Sequence, residues 1–196
     1  MKLAATTLRH AGLALEPFEE RHRLGLTEAA ADASIWRHMP YDVLGRGYGD
    51  WFEWLQREQA AGRWLPFAVR NGDRLVGQSC YLNLRPADRG LEIGGTWYAP
   101  AAQGTAVNPV AKLLLLDHAF AAGAERVEFK TDARTLRSRA ALLKLGAAFE
   151  GVFRRHMLRP DGVWRDSAYY SILREDWPDI RIRLAARIAA LSQQSN

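Results

Sequence analysis

A turn of small residues that leads straight into an apolar helix constrains this chain more than any other feature. The turn and the helix read AAQGTAVNPVAKLLLLDHAF and cover residues 101–120. One alternating segment precedes them at residues 91–98, and a second follows at residues 125–132. Alternation of apolar and polar residues predicts strands, so a strand lies on each side of the turn and helix. This order of elements is typical of an α/β domain.

The same turn is suited to hold an anion. Its glycine, threonine and alanine residues are small and leave backbone N–H groups uncovered. The first turn of a helix adds unpaired donors of its own. Helix N-termini of this kind bind phosphate. A single glycine before a helix is also common in turns that bind no ligand. Both interpretations, an anion site and a plain turn, stay open at this point.

Composition favours one globular domain over residues 1–196. The chain is 48% hydrophobic and 25% charged, and no run of about 18 apolar residues predicts a membrane span. Its single cysteine, Cys80, excludes an internal disulfide and a cysteine-rich metal site, and is expected to be a buried small hydrophobe. His22, His38 and His156 lack metal-ligand spacing, so no metal is predicted. We expect a cytoplasmic protein.

The net charge of +5 comes mostly from arginine. These arginines are scattered, with aspartate or glutamate near most of them, which is typical of a solvated surface. A polyanionic ligand such as a nucleotide-bearing cofactor would also explain them, and so would an RNA-rich partner. No basic run stands alone, so neither nucleic acid nor a membrane is the expected partner.

The other predicted elements complete a mixed, largely antiparallel sheet. The Asn71-Gly72 turn predicts a hairpin, and Gly94-Gly95 predicts a bulge in the strand over residues 91–98. The remaining predictions are a strand at 13–18, helices at 21–33 and at 49–62 (capped by Asp50), a helix at 137–146 closed by Gly146, and a last hairpin around Asp161-Gly162.

A helix with one apolar stripe is predicted at the C-terminal end, with Pro178 in its first turn. The stripe consists of Ile180, Leu184, Ile188 and Leu191. Such a stripe requires burial. A second copy of the chain could cover it, which predicts a homodimer, and so could the helix's own domain.

Several motifs in a fixed order resemble a known family. The motifs are, in order, LEIGGTW, AQGTAVN, AKLLLLDHAF, RVEFKTD and SRAALLKLGA. A hairpin that contains PDG and RDSAYYSIL follows them. Together they resemble the GNAT acetyltransferase superfamily, and more narrowly the RimJ/RimL-type ribosomal-protein N-terminal acetyltransferases. The likeness extends over residues 13–177 and is strongest from Glu92 onward.

This resemblance implies a fold and an activity. The implied fold is a GNAT fold, with a mixed, largely antiparallel central sheet of seven strands flanked by helices. The core would cover residues 13–177, and an extra C-terminal helix residues 178–192. The implied activity is transfer of an acetyl group from acetyl-CoA to a primary amine.

The resemblance also assigns residues to the cofactor. The pantetheine arm would lie along the backbone of Gly95, Thr96, Trp97 and Tyr98. The pyrophosphate would lie against a loop and helix start made of Gln103, Gly104, Thr105, Ala106, Val107 and Asn108. Ala101 stands where the family has Gln or Arg, so one side-chain contact is absent. Lys112 would either face a phosphate or pair with a carboxylate.

The second helix of the family motif departs from the pattern at two positions. Thr135 replaces the Asn that commonly hydrogen-bonds the cofactor arm. Ser138 matches the family and would either contact the cofactor or serve as a cap or solvent-facing residue near the helix start. Leu142 replaces the Tyr that many members use as the acid for the departing thiolate. Ser138 or water would supply that proton instead.

Acetyl transfer requires that the amine lose a proton, and Glu92 is the best candidate base. It could equally be a strand carboxylate paired with an arginine. Asp166 and Tyr170, on the last hairpin, are candidates for direct chemistry or for hydrogen-bond support. Alternation points only one of Tyr169 and Tyr170 toward the site. Backbone N–H groups could stabilise the oxyanion.

Three functions remain open. The first is N-acetylation of a protein N-terminus, a peptide or a small metabolite, and the second uses another acyl-CoA. The third is a non-catalytic acyl-CoA-binding or RNA-associated protein of the same fold. Trp36, Trp51 and Trp54 could line an acceptor groove or belong to the core.

Overall fold

The computed structural model describes residues 1–37 and 39–193, so His38 lies outside the described residues. One eight-stranded sheet forms its centre, with the strand order β1-β2-β3-β4-β5-β6-β8-β7. The strands are β1 (Leu8–His10), β2 (Leu13–Pro17), β3 (Leu65–Asn71), β4 (Arg74–Arg85), β5 (Gly90–Tyr98), β6 (Arg126–Asp132), β7 (Ala148–Leu158) and β8 (Trp164–Leu173).

Six helices flank the sheet, and none within the described ranges is long and apolar enough to cross a membrane. They are α1 (Arg23–Ala29), α2 (Val43–Arg46), α3 (Tyr48–Ala60), α4 (Val107–Ala121), α5 (Leu136–Leu145) and α6 (Trp177–Gln193). The expected α/β architecture with a C-terminal helix is therefore confirmed. The eighth strand is the short β1, which pairs with β2 and which the sequence did not predict.

Strand pairing is antiparallel everywhere except between β5 and β6. That parallel pair is short, because only Gly90–Glu92 lies in register with Arg126–Glu128. Beyond these residues β5 continues to Tyr98 and β6 continues to Asp132, and the two strands no longer pair. A gap therefore opens in the middle of the sheet.

Two apolar cores cover the two faces of the sheet. One core joins the sheet to α4, α5 and α6, and includes Leu115, Phe129 and Leu145. The other joins the sheet to α1, α2 and α3, and is rich in aromatic rings such as Trp36 and Phe52. Burying apolar side chains on both faces stabilises the sheet and fixes which strand residues point to each side.

Two predicted helices differ from the structure. The helix at 21–33 is shorter, because the His22 ring accepts a hydrogen bond from the Glu19 N–H and breaks the chain into a 3₁₀ turn before α1. The Asp50 cap is also wrong: α3 begins at Tyr48, and Gly47 is its N-cap with φ +87°. Asp42 instead caps α2, which the sequence did not predict.

The turn predictions are confirmed. Asn71 pairs with Arg74 across the Gly72 turn, and Gly146 ends α5 in the left-handed conformation with φ +102°. On β5, Gly94 and Trp97 pair with Cys80 and Gln78, so β5 carries one extra residue there. Gly95 lies in this bulge with φ +56°, a conformation that favours glycine.

Helix α6 buries its apolar stripe within the chain. Ile180, Leu184 and Ile188 belong to the same core as α4, and Leu191 is half-buried. The stripe therefore docks on its own domain, the second of the two alternatives. It no longer argues for a homodimer, which stays a prediction without that support.

Gly146→Ala should destabilise the protein, because it combines a strained φ with a close contact. A methyl group at this position would come within 3.0 Å of Ile180 Cγ1 on α6. We expect the free energy of unfolding to fall by about 2–3 kcal/mol, measured by urea denaturation. Gly162→Ala is the matched control: its φ is +77° with nothing within 4 Å, so about 1 kcal/mol is expected. Equal losses in both variants would contradict the contact.

Candidate active site

The gap between β5 and β6 leaves one edge of β5 without a strand partner from Ile93 to Tyr98. On the aromatic side of the sheet, Trp64 lies against the bulge, since a methyl group on Gly95 would come within 2.8 Å of its ring. Backbone N–H and C=O groups at such an edge require a hydrogen-bonding partner. The edge can therefore accept an extended ligand.

A set of free N–H groups lies beyond the end of this edge. Among the described residues, the backbone N–H groups of Gly104, Thr105, Ala106 and Asn108 have no hydrogen-bond acceptor. The Val107 N–H is instead donated to Thr105 Oγ1 at 3.2 Å. Gly104 has φ +79°, which turns the loop into the helix. Four uncommitted donors at the start of α4 form a cradle for an anion such as a pyrophosphate.

Gln103 fixes the loop and brings in a cation that the sequence did not predict. Its amide nitrogen donates to the Tyr98 carbonyl at 2.9 Å, and its Oε1 accepts from Arg137 Nη1 at 3.0 Å. Arg137 is exposed at the start of α5, so its guanidinium lies beside the cradle. The sequence carries no signal for this, because the two residues are 34 positions apart.

The side chains of Trp97 and Tyr98 point away from the gap. Trp97 belongs to the aromatic core and Tyr98 to the α4 core, so only their backbone groups are available to a ligand. At the start of α5, the Thr135 hydroxyl is buried with no hydrogen-bond partner in residues 1–37 and 39–193, and Ser138 is half-buried. An unsatisfied buried hydroxyl beside the gap fits a ligand that supplies the missing partner. Leu142 is buried in the core.

Glu92 lies where β5 leaves β6 and is 3% exposed. Its Oε2 accepts a hydrogen bond from Asn83 Nδ2 at 2.7 Å and lies 3.4 Å from Lys130 Nζ. Its Oε1 has no donor among the described residues and lies next to Gly94, where a methyl group would come within 3.0 Å of it. Burial raises the pKa of Glu92, against the opposing effects of Lys130 and Asn83. One carboxylate oxygen is thus held and the other is free.

Asn83 is a residue that the sequence analysis missed. It lies in an irregular part of β4 with φ +49°, a conformation that asparagine tolerates better than most side chains. This bend allows its amide to reach Glu92. An asparagine near the end of a predicted strand is the only signal the sequence offers, because asparagine is depleted in strands.

The structure brings Tyr169, and not Tyr170, to the side of Glu92. Tyr169 pairs with Lys130 across the sheet, and the Lys130 Nζ that lies beside Glu92 is 5.8 Å from the Tyr169 ring centroid. Tyr170 points to the other face, where its hydroxyl accepts from Arg139 Nε at 3.0 Å. The candidate Tyr170 therefore does not meet Glu92, because neighbouring strand residues face opposite sides.

Asp166 is also separated from Glu92. It shares the face of Tyr170 by alternation, and its Oδ1 accepts the Arg155 N–H at 2.6 Å. Arg155 has φ +46°, so the carboxylate stabilises a bulge in the β7–β8 hairpin. The sequence could not show that this carboxylate is committed to a backbone group.

Lys112 pairs with no carboxylate within the described ranges, which corrects one of its two expected roles. Its Nζ donates to Thr96 Oγ1 at 3.1 Å, and Thr96 Oγ1 shares a 2.7 Å hydrogen bond with Ser79. The Nζ also lies 5.8 Å from the Phe129 ring centroid, so α4 directs the side chain at the sheet beneath the β5 bulge. Only 6% of Lys112 is exposed, and burial lowers its pKa to about 7.

Trp36 and Trp51 are buried core residues, and the Nε1 of Trp36 donates to the Ala30 carbonyl. The acceptor groove stays a prediction. Trp51 and Trp54 stack at 4.8 Å and line an open cleft of about 470 Å³ together with Tyr41. Cys80 is fully buried, and burial raises the pKa of its thiol to about 12. Within the described ranges, no group of three His, Cys, Asp or Glu side chains could hold a metal ion.

Comparison with known proteins places the chain among acetyltransferases. The family described as "Acetyltransferase (GNAT) domain" matches residues 13–148. A solved structure described as an acetyltransferase is 32% identical, with a TM-score of 0.87 and 96% of each chain covered. An acetyltransferase from T. thermophilus is 31% identical, with a TM-score of 0.83 and coverage of 95% of this chain and 99% of the other.

A third solved structure is Mycobacterium smegmatis RimJ in complex with CoA-disulfide. It is 28% identical, with a TM-score of 0.74 and 92% of each chain covered. No curated protein sequence matches the chain significantly.

The buried amine of Lys112 should make stability depend on pH. Its folded pKa is about 7, whereas an unfolded lysine titrates near pH 10.4, so the unfolded chain binds more protons between these values. Stability therefore rises with pH in that window. Relative to Lys112→Met, the wild type should gain about 2 kcal/mol between pH 7 and pH 9, measured by urea denaturation. Lys144→Met removes an exposed charge and is the matched control. A difference independent of pH would contradict the burial of the amine.

Proposed function

We propose that this chain, which belongs to the GNAT acetyltransferase family, transfers an acetyl group from acetyl-CoA to a primary amine. Residues 13–148 carry the family match, and the C-terminal helix completes what we take to be a single domain over residues 1–196. We further assign it to the RimJ/RimL-like branch, which the 28% identity to the RimJ structure supports. The acceptor amine belongs to a protein N-terminus, a peptide or a small metabolite.

One arrangement carries this proposal: the unpaired edge of β5 connects an anion cradle to a buried carboxylate. The cradle consists of the free N–H groups from Gly104 to Asn108, and the carboxylate is Glu92. When bound, acetyl-CoA supplies the activated acetyl group as a thioester. Its pyrophosphate suits the cradle, and the amides of its pantetheine arm suit the backbone of residues 95–98. Thr135 and Arg137 add a hydroxyl and a cation near the start of α5.

Glu92 acts as the base in this proposal. Asn83 and Lys130 hold Oε2, which leaves Oε1 free to accept a proton from the incoming amine. Burial raises the pKa of Glu92 toward the working pH, which strengthens it as a base. Gly94 has no side chain to block Oε1. The rate should therefore rise with pH as Glu92 loses its proton.

The proton for the departing thiol comes from Ser138 or from water. Leu142 takes no part, because it is buried among apolar side chains. Asp166 and Tyr170 support the β7–β8 hairpin and the start of α5 through their bonds to Arg155 and Arg139. A cytoplasmic location, like the homodimer, stays a prediction.

A second candidate function is binding of an acyl-CoA without catalysis. The absence of a tyrosine acid at Leu142 favours it, since the cradle alone would suffice for binding. Catalysis by Glu92 distinguishes the two functions, because a binding protein has no turnover to lose. RNA association has less support, since many arginine side chains pair with carboxylates in the described ranges, as Arg126 does with Glu150.

Gly104→Val should abolish acetyl-CoA binding while the protein stays folded. A β-branched side chain does not tolerate φ +79°, so the loop must change shape and its N–H groups turn away from the pyrophosphate. Isothermal titration calorimetry with acetyl-CoA measures the loss. Gly162→Val is the matched control, because it imposes the same strain at φ +77° in the distant β7–β8 turn and should leave binding unchanged. Unchanged affinity in Gly104→Val would refute the cradle.

Glu92→Gln should lower the rate of acetyl transfer by about 10²–10⁴-fold with little change in acetyl-CoA affinity. The amide keeps the shape of the side chain but cannot accept the proton. Thiol release with acetyl-CoA and a panel of primary amines measures the rate. The loss should shrink as pH rises, because more of the amine arrives neutral.

Glu128→Gln is the control for this test. Glu128 lies opposite Glu92 in β6 and forms ion pairs with Arg85 and Arg126. We expect its rate to stay within about threefold of the wild type. A Glu92→Gln protein that is equally active would make Glu92 a structural carboxylate.

A further inference from the structure

Arg165 is a buried arginine whose side chain has no hydrogen-bond or ion-pair partner in the part of the chain that the structure describes. Only 4% of the residue is exposed, and its Nε lacks an acceptor among those residues. Among the described residues, no carboxylate lies within 4 Å of it. Arginine stays protonated in proteins, so this position holds a buried positive charge without a direct ion pair among the described residues. Burial of that kind costs free energy unless an anion pairs with it.

The guanidinium lies on the same side of the sheet as Glu92. Arg165, Ser167 and Tyr169 share one face of β8 by alternation, and Tyr169 is the residue that lies beside Lys130 and Glu92. Burial lowers the pKa of Arg165, against the opposing effects of the negative charges of Asp132 and Glu92. The α4 core and the phosphate cradle belong to the other side.

The nearest buried carboxylate cannot neutralise Arg165, because two other arginines already share it. Asp132 Oδ2 lies 3.4 Å from Arg134 Nη2 and 3.6 Å from Arg159 Nη1. Arg159 forms a second ion pair with Asp161 at 2.8 Å. Asp132 is thus committed to Arg134 and Arg159, and Arg165 is left without an ion-pair partner among the described residues.

We propose that Arg165 binds a carboxylate of the acceptor, and that the acceptor is a free amino acid. This inference rests on the proposed function, because it requires the amine of the same molecule to reach Glu92. A guanidinium matches a carboxylate with two parallel hydrogen bonds, which gives both energy and orientation. An amino acid places its carboxylate and its amine on one carbon, so one buried cation and one nearby base can hold both groups. A protein N-terminus carries a neutral peptide carbonyl there instead.

The test compares amino acids with their amides as acceptors. In the wild type, kcat/KM for the best amino acid should exceed that for its amide by at least about tenfold, although the amine of the amide is less basic. Arg165→Met should lower kcat/KM for the amino acid by about 10²-fold, mainly through KM, and leave the amide unchanged. Arg183→Gln is the matched control. It removes an exposed arginine on α6, away from Asp132 and Arg165, and should leave both acceptors unchanged.

A binding measurement gives a readout that does not depend on turnover. In the presence of CoA, the same amino acid should raise the melting temperature of the wild type but not of Arg165→Met. Arg165→Lys keeps the positive charge but cannot form the two parallel hydrogen bonds, so it should bind the amino acid with intermediate affinity. This variant replaces Arg165→Met in the test if Arg165→Met does not fold. The inference is overturned if the wild type has the same kcat/KM for amides or peptides as for amino acids. It is also overturned if Arg165→Met lowers kcat/KM equally for both kinds of acceptor.

The two proposals fail in different ways. If acetyl-CoA releases no thiol with any amine, the proposed acetyl transfer fails. Binding of the amino acid still tests Arg165 in that case. If amides are acetylated and amino acids are not preferred, acetyl transfer stands and the role of Arg165 falls.

Discussion

The separation of β5 from β6 after Glu92 is the constraint on which the site depends. A strand inside a sheet normally satisfies its backbone groups on both edges, but β5 does so on one edge only beyond that residue. The bulge at Gly95 and the entry into α4 direct β5 away from its parallel neighbour. The same departure creates the ligand edge, places the cradle at its end and leaves Glu92 at its beginning. Shape and chemistry therefore have a single origin.

The ionic groups around this gap contrast with the apolar cores on either side. Lys112 and Arg165 are less than a tenth exposed and pair with no carboxylate among the described residues, and the equally buried Glu92 keeps one oxygen without a donor there. Such buried polar groups lower stability relative to apolar side chains of similar size. Proteins retain groups of this kind where a ligand or a reaction requires them. Their positions on β5, β8 and the side of α4 that faces the sheet mark the site as clearly as the gap does.

Local sequence patterns predicted the elements well, and long-range contacts explain what they missed. Three features depend only on residues that are neighbours in the sequence, so the sequence reveals them. They are the Asn71-Gly72 turn, the Gly94-Gly95 bulge and the end of α5 at Gly146. Asn83 reaches Glu92 only because β4 bends, and Arg165 is unpaired only because other arginines occupy Asp132. Neither fact can be derived from spacing. Alternation showed that only one of Tyr169 and Tyr170 faces the site, but it could not show which of the two shares the face of Glu92.

The contact between Trp64 and Gly95 links the aromatic cluster to the bulge of β5. The indole lies on the backbone of the bulge and also packs edge-on against Trp54, at a centroid distance of 5.1 Å, in the aromatic cluster next to the open cleft. Indole fluorescence responds to the polarity and rigidity of its surroundings. A ligand that pairs with β5 would change both at the bulge. The protein thus carries an indole at the strand that we assign to the cofactor. Because the chain has seven tryptophans, the difference in emission between the wild type and Trp64→Phe isolates the response of Trp64 to occupancy.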